Sequence, residues 1–299
     1  MEVQRPQVGR PDWLPQALYP FENHYLEVEG STVHYVDEGD GPPLLMLHGN
    51  PTWSFLYRNL ITSLRQRFRC VALDYPGFGL SLAADGYSFR PREHARVVEQ
   101  VVEALGLSEI VLMAHDWGGP IGLWAAQRQP ERYSGFVLSN TFAWPVEGSR
   151  RLEGFSRVMG SSLGGALERR THLFVNVGIR LGTRDRLSHE VMRCYRRPFA
   201  GQHASDGPHI FARELTASRD FLAQVEQGLE HLVDHPALLV WGEFDLAFGT
   251  DERMRFEEYF PGHEVVLLEG ARHFIQEDEP EAIVAGIGEW ADLALTHFC

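Results

Sequence analysis

Short, continuous apolar runs recur along the chain at residues 44–47, 70–73, 110–114, 135–138, 237–241 and 264–268. Unbroken hydrophobicity over so few residues predicts strands covered on both faces. Upstream, 24–29 and 32–36 alternate apolar and polar positions, which predicts an antiparallel hairpin of half-buried strands with Gly30-Ser31 as its turn. Segments of helical period lie between the buried runs, at 55–64, 92–105, 121–129, 252–259 and 282–295. Strand alternating with helix predicts an α/β fold with a mostly parallel, doubly wound central sheet. The alternation lapses between Pro145 and Leu229, where helical patterns continue without a convincing strand. The expected organisation is therefore a core formed by 1–144 and 230–299, with a helical cap, 145–229, inserted after the sixth strand.

Composition narrows the function classes. A chain of 299 residues with 44% hydrophobic and 23% charged positions is expected to be a soluble globular protein that needs no staple. No stretch approaches 18 uncharged apolar residues, and Met1 to Pro20 has no basic flank leading into an apolar run, so neither a membrane span nor a signal peptide is expected. A net charge of −14 argues against a nucleic-acid partner. All 27 basic residues are Arg, a bias to which no mechanistic purpose attaches. Between 146 and 229 the charge reverses, with 13 Arg against 9 acidic residues. That pattern reads as a solvated helical surface, or alternatively as a mildly basic lid favouring anion transit. Cys70, Cys194 and Cys299 are widely spaced and form no C-x-x-C pair, so neither a disulfide framework nor a zinc site is expected, and a reducing cytoplasm is the natural compartment.

The densest chemistry lies at Ile110–Pro120, where a buried strand runs through His115-Asp116-Trp117-Gly118-Gly119 into a helix. A strand, a sharp small-residue turn and a helix are the context of a nucleophile elbow, here with Asp116 in the place usually held by Ser. A carboxylate at a helix N-terminus feels the dipole and free amides, which favour its ionised form and direct attack on carbon. The plainer reading is an Asp that caps the helix. The run ending at Leu47 empties into His48-Gly49-Asn50-Pro51-Thr52-Trp53, a loop placed to supply an oxyanion site from the backbone amides of Asn50 and Trp117. Their side chains are uncharged N–H donors, suited to a departing halide that must then be released.

A base and an acid are expected after the later strands. Residues 264–268 lead to His273, which is placed to activate water, and 237–241 lead to Asp245, which is placed to orient the imidazole. Glu243 is the rival acid. Asn140, after the sixth strand, lacks the negative charge to replace either, and His48 and His115 read as organisers of their own loops.

These segments, with Asp74-Tyr75-Pro76-Gly77-Phe78-Gly79, Asn140-Thr141, Trp241-Gly242 and His273-Phe274, resemble the haloalkane dehalogenases over nearly the whole chain. The resemblance implies an α/β-hydrolase fold and hydrolytic dehalogenation through an aspartyl ester on Asp116, with His273 and Asp245 completing the triad. It further implies a cofactor-free, metal-free site that binds a small halogenated alkane, halide and water. With Trp at 13, 53, 117, 124, 144, 241 and 290, and none in the insertion, the halide donors it implies are Asn50 and Trp117. Phe142, Trp144, Phe155, Phe174, Phe199, Phe248 and Phe274 are candidates for the pocket wall. Epoxide hydrolases share the elbow but typically use two cap tyrosines, and 146–229 holds Tyr195 alone. Haloacid dehalogenases place arginines after the nucleophile, where this chain has Trp117-Gly118-Gly119-Pro120. A cofactor-free luciferase-like oxygenase and a non-catalytic ligand receptor are the readings from other classes. No oligomeric contact is legible in the pattern.

Overall fold

The structure, a computed structural model, describes residues 9–200 and 206–295, so Cys299 and the first eight residues lie outside the described residues. In chain order the first half runs β1 (His24–Val28), β2 (Ser31–Glu38), β3 (Pro43–Leu47), α1 (Arg58–Leu64), β4 (Arg69–Leu73), α2 (Pro91–Ala104), β5 (Ile110–Asp116), α3 (Gly118–Ala126) and β6 (Tyr133–Thr141). Helices follow without a strand: α4 (Arg150–Met159), α5 (Ser162–Thr171), α6 (Ile179–Gly182), α7 (His189–Arg196), α8 (Asp206–Ala217) and α9 (Arg219–Gly228). The chain then returns through β7 (Ala237–Gly242), α10 (Thr250–Tyr259), β8 (His263–Leu268), α11 (Ile275–Asp278) and α12 (Pro280–Ala294).

The eight strands form one sheet in the order β1-β2-β4-β3-β5-β6-β7-β8. β2 pairs antiparallel with β1 and β4, and every pairing from β4 onward is parallel. Helical connections put layers on both faces, which is why β5 is buried at all seven positions. Parallel strands deliver their C-terminal ends to one rim, where ligands of such sheets bind. Leu47 aligns with Ala114, Asp116 with Thr141, and Gly242 with Leu268, so the loops carrying the candidate residues leave the sheet side by side.

The helix expected from 55 begins at Arg58, after a tight turn over Ser54–Tyr57, and four further departures concern the hairpin, α3, β8 and α11. The hairpin turn is Glu29-Gly30, not Gly30-Ser31, because Val28 pairs with Ser31 and a two-residue loop of this kind needs left-handed backbone at both central residues, here φ 50° and 79°. α3 starts at Gly118, ahead of the expected 121, since all nine of its residues are buried and no polar face marks its first turn. β8 is not covered on both faces. It ends the sheet, and Glu264, Val265 and Leu267 are exposed. The short α11 carries too few residues to show a period.

The helical insertion is tied to the core by a buried charged group. Arg58 of α1 is 6% exposed and donates from Nη2 to Glu277 Oε2 at 2.8 Å, while the Tyr195 hydroxyl of α7 donates to Glu277 Oε1. Three segments distant in sequence thus share one carboxylate. Glu277→Ala leaves the Arg58 guanidinium buried and uncompensated, and should cost about 3–5 kcal/mol of stability. Tyr195→Phe should cost only about 1–3 kcal/mol. Urea denaturation followed by tryptophan fluorescence measures both, and equal losses would contradict a shared dependence on Arg58.

Candidate active site

Asp116 ends β5 with left-handed backbone, φ 52°, a conformation that side chains other than Gly rarely adopt. The turn is held by close approach on each side. A Cβ at Gly49 would lie 2.2 Å from Asp116 Oδ1, and one at Gly118 would lie 2.1 Å from the Leu47 carbonyl, so both loops need glycine at those points. Thr141 Oγ1 donates to the Asp116 carbonyl at 2.5 Å, fixing the elbow to β6. The Asn50 amide donates to Asp116 Oδ1 at 2.7 Å, and the Trp117 amide supports the same carboxylate.

His273 lies between two carboxylates. Its Nδ1 donates to Asp245 Oδ2 at 2.9 Å, and its Nε2 is 3.7 Å from Asp116 Oδ2. Asp245 is held in turn by the Ala247 amide on Oδ1 at 2.6 Å and by Asn140 Nδ2 on Oδ2 at 2.6 Å. Asn140, itself at φ 41°, accepts from the Gly242 amide at 3.0 Å and so bridges β6 to the end of β7. The arrangement can pass a proton to His273 and stabilise the imidazolium that results.

Burial acts on these groups in opposite senses. It pushes the Asp116 carboxyl above its usual value, opposed by His273 and by the amides of Asn50 and Trp117. The amides therefore moderate the shift without producing the net lowering expected from the helix end alone. Burial would lower His273, but Asp245, through charge and hydrogen bond, and then Asp116 carry it above 6.5. His115, whose ring centroid is 4.6 Å from that of His273, is driven well below 6.5 by burial and by His273. His48 falls to about 4 through burial. Both keep local posts as expected: His48 Nε2 accepts from the Tyr75 amide at 3.2 Å, and His115 Nδ1 donates to the Ser139 carbonyl at 3.1 Å.

A cavity of about 340 Å³ opens onto Asn50, Asp116, Trp117, Asp245 and His273. Of the candidate wall residues, Phe155, Phe174, Phe248 and Phe274 line it. Three other candidates do not. Phe142 is fully buried behind the wall, stacked on Phe248 at 4.6 Å; Trp144 packs on Phe256 at 4.7 Å on the side of α10; and Phe199 packs on Phe78 at 5.9 Å. Each fills the hydrophobic core, a role its sequence position could not separate from wall lining. Glu243 is exposed and accepts from the Gly270 amide at 3.0 Å, away from His273. Asn50 Nδ2 donates to the Pro208 carbonyl at 3.1 Å, and Trp117 stacks on Phe211 at 5.3 Å, so α8 steadies both side chains. A larger groove of about 630 Å³, beside Trp13 and Tyr87, holds none of these groups.

Sequence reasoning missed Asn140 as the holder of Asp245 and the aliphatic wall at Leu152, Leu181, Leu215 and Leu246. An amide at a strand end beside the acid's strand was the available signal for Asn140. The aliphatic residues carried none, since core and wall use the same side chains.

The alpha/beta hydrolase fold family matches residues 42–280. Over 281 residues the chain is 43% identical to haloalkane dehalogenase 2 of Mycobacterium tuberculosis, covering 93% of this chain and 98% of that protein. A cis-3-alkyl-4-alkyloxetan-2-one decarboxylase of Shewanella oneidensis is 30% identical, covering 91% of this chain and 88% of its own. Among solved structures, haloalkane dehalogenase DbeA from Bradyrhizobium elkani superposes with a TM-score of 0.86 at 26% identity, covering 93% of this chain and 99% of that one. Fold and rim together define an α/β hydrolase with a carboxylate at its elbow. Within that class the chain belongs to the haloalkane dehalogenase family.

The electrostatics of His273 can be tested directly. Asp245→Asn removes the nearer negative charge, so the His273 ring should titrate lower by at least about one pH unit. Histidine ring chemical shifts followed against pH read this, and an unmoved titration would mean that Asp245 does not set its charge.

Proposed function

We propose that the protein hydrolyses halogenated alkanes to alcohol, halide and proton in two steps on Asp116. In the first, Asp116 Oδ2 attacks the carbon bearing the halogen in line, the carbon–halogen bond breaks with its electron pair, and an alkyl ester remains. One N–H of the Asn50 side chain, the other being on Pro208, and the indole N–H of Trp117 stabilise the departing halide. In the second, His273 takes a proton from water as its oxygen attacks the ester carbonyl. The backbone amides of Asn50 and Trp117 carry the charge that develops on Oδ1, each such donor being worth about 10²–10³ in rate. Collapse of the intermediate releases the alcohol and regenerates Asp116, while Asp245, steadied by Asn140, stabilises the His273 imidazolium until its proton is lost.

The observation that carries this reading is the position of His273 between Asp245 and Asp116, with the Asn50 amide already on the carboxylate oxygen that would become the ester carbonyl. The described residues of 145–229 serve as the cap, α4 and α8 closing the cavity with Arg151, Leu152, Phe155, Ala212 and Leu215. Cys70 and Cys194 are buried free thiols, in keeping with a cytoplasmic location. Epoxide opening finds less support, because the Tyr195 hydroxyl is turned to Glu277, outside the cavity wall.

His273→Phe should release about one halide per active site and then stop with the alkyl group on Asp116, detectable as a mass increase of the intact protein. A single turnover in heavy-oxygen water should place the label in the Asp116 carboxylate and leave the first alcohol unlabelled. Label appearing in that alcohol, with none in the protein, would rule out the ester. Because only neutral His273 can accept the proton, ester hydrolysis should fall as pH drops through its raised pKa. Asp245→Asn should move that acidic limb to lower pH and reduce the plateau.

A further inference from the structure

Once Asp116, Asp245, His273, Asn50 and Trp117 are assigned to the reaction, one charged side chain on the cavity wall is left without a part in it, that of Arg151 in the first turn of α4. It is exposed and stands at the mouth with Phe155, Leu181 and Leu246, which are 42%, 58% and 67% exposed. Its Nη2 donates to the Ala247 carbonyl at 2.9 Å. No ion pair within 4.0 Å is formed by Arg151 among the described residues, although most of the chain's charges are acidic. Glu252, which feels Arg151 at longer range, accepts from the Gly249 amide at 2.7 Å, and on the α4 side Glu153 accepts from the Gly148 amide at 3.0 Å while Glu147 pairs with Arg219 at 2.9 Å. The positive end of the ten-residue α4 adds to the field of the guanidinium, a placement that destabilises a lone cation and favours an anion.

The cavity is therefore polarised along its depth. Asp116 and Asp245, offset only in part by His273 between them, leave its buried end net negative, Phe174, Leu215 and Phe248 add buried apolar wall, and the exposed Arg151 is positive. Building on the dehalogenation reading, we infer that Arg151 selects halogenated chains that end in a carboxylate, the ω-haloalkanoates. The floor repels the carboxylate, the mouth attracts it, and the carbon bearing the halogen is thereby presented to Asp116. A short 2-haloacid gains nothing, since its carboxylate would sit beside Asp116 whenever its halogen is in reach.

The test compares 1-bromohexane with ω-bromoalkanoates of four to ten carbons, in wild type, Arg151→Gln and Arg151→Lys. Wild type should show an optimum length among the acids. Arg151→Gln should lower the ratio of kcat/KM for 6-bromohexanoate over 1-bromohexane by about three- to tenfold, chiefly through KM, as befits an exposed charge contact. Arg151→Lys should restore part of the ratio. Equal losses on both substrates would reduce Arg151 to a structural latch on Ala247, and an unchanged ratio would also overturn the inference. Should wild type turn over none of the bromides, the proposed reaction itself fails. Calorimetric binding of 6-hydroxyhexanoate, tighter in wild type than in Arg151→Gln, then decides the anion site separately.

Discussion

The candidate active site depends on one backbone constraint, the left-handed turn at Asp116. For an L-residue this conformation costs about 1–2 kcal/mol, so it persists only where the surroundings leave no alternative. Here β5 enters from a sheet buried on both faces, α3 leaves from a point pressed against the Leu47 carbonyl, and Thr141 holds the Asp116 carbonyl from β6. Relaxing the turn would require moving β3, β5 and α3 together. The consequence is a carboxylate that meets the Asn50 amide with one oxygen and faces His273 with the other.

Low dielectric around the rim turns small differences of neighbourhood into large differences of charge. His48, His94, His115 and His273 are all buried, and desolvation alone would keep each of them neutral. His94 and His48 fall to about 3 and about 4, while His273 rises because two carboxylates flank it. A neutral His115 against the ring of His273 is part of the same design, since a second cation there would oppose the first. One imidazole is thereby singled out to carry charge.

The helical insertion completes what the rim begins. Phe211 of α8 stacks on Trp117, the Pro208 carbonyl receives Asn50, and Tyr195 of α7 reaches Glu277 and through it Arg58. The parts that orient the site from above are fastened to the core by polar groups at its far side.

Much of this was legible in the chain alone. Continuous apolar runs located the strands because a doubly covered sheet tolerates no polar face, and the order Asp116, Asp245, His273 followed from the loops after those runs. Gly118 and Gly119, just after Asp116, signalled a sharp turn in which strand and helix backbones approach closely, whereas the need for Gly49 emerged only from its contact with Asp116. The remainder was decided in three dimensions. Periodicity does not mark α3, because no side of it meets water, and it cannot say that β8 lies at an edge. Phe142, Trp144 and Phe199 are chemically the same as Phe174 and Phe248, and only packing determines which ring faces a cavity and which fills a core. Asn140 and Arg151 gain their meaning from partners about a hundred residues away, Asp245 and Ala247. A sequence states which groups a chain carries, whereas the distance between them is set by which strands the fold makes neighbours.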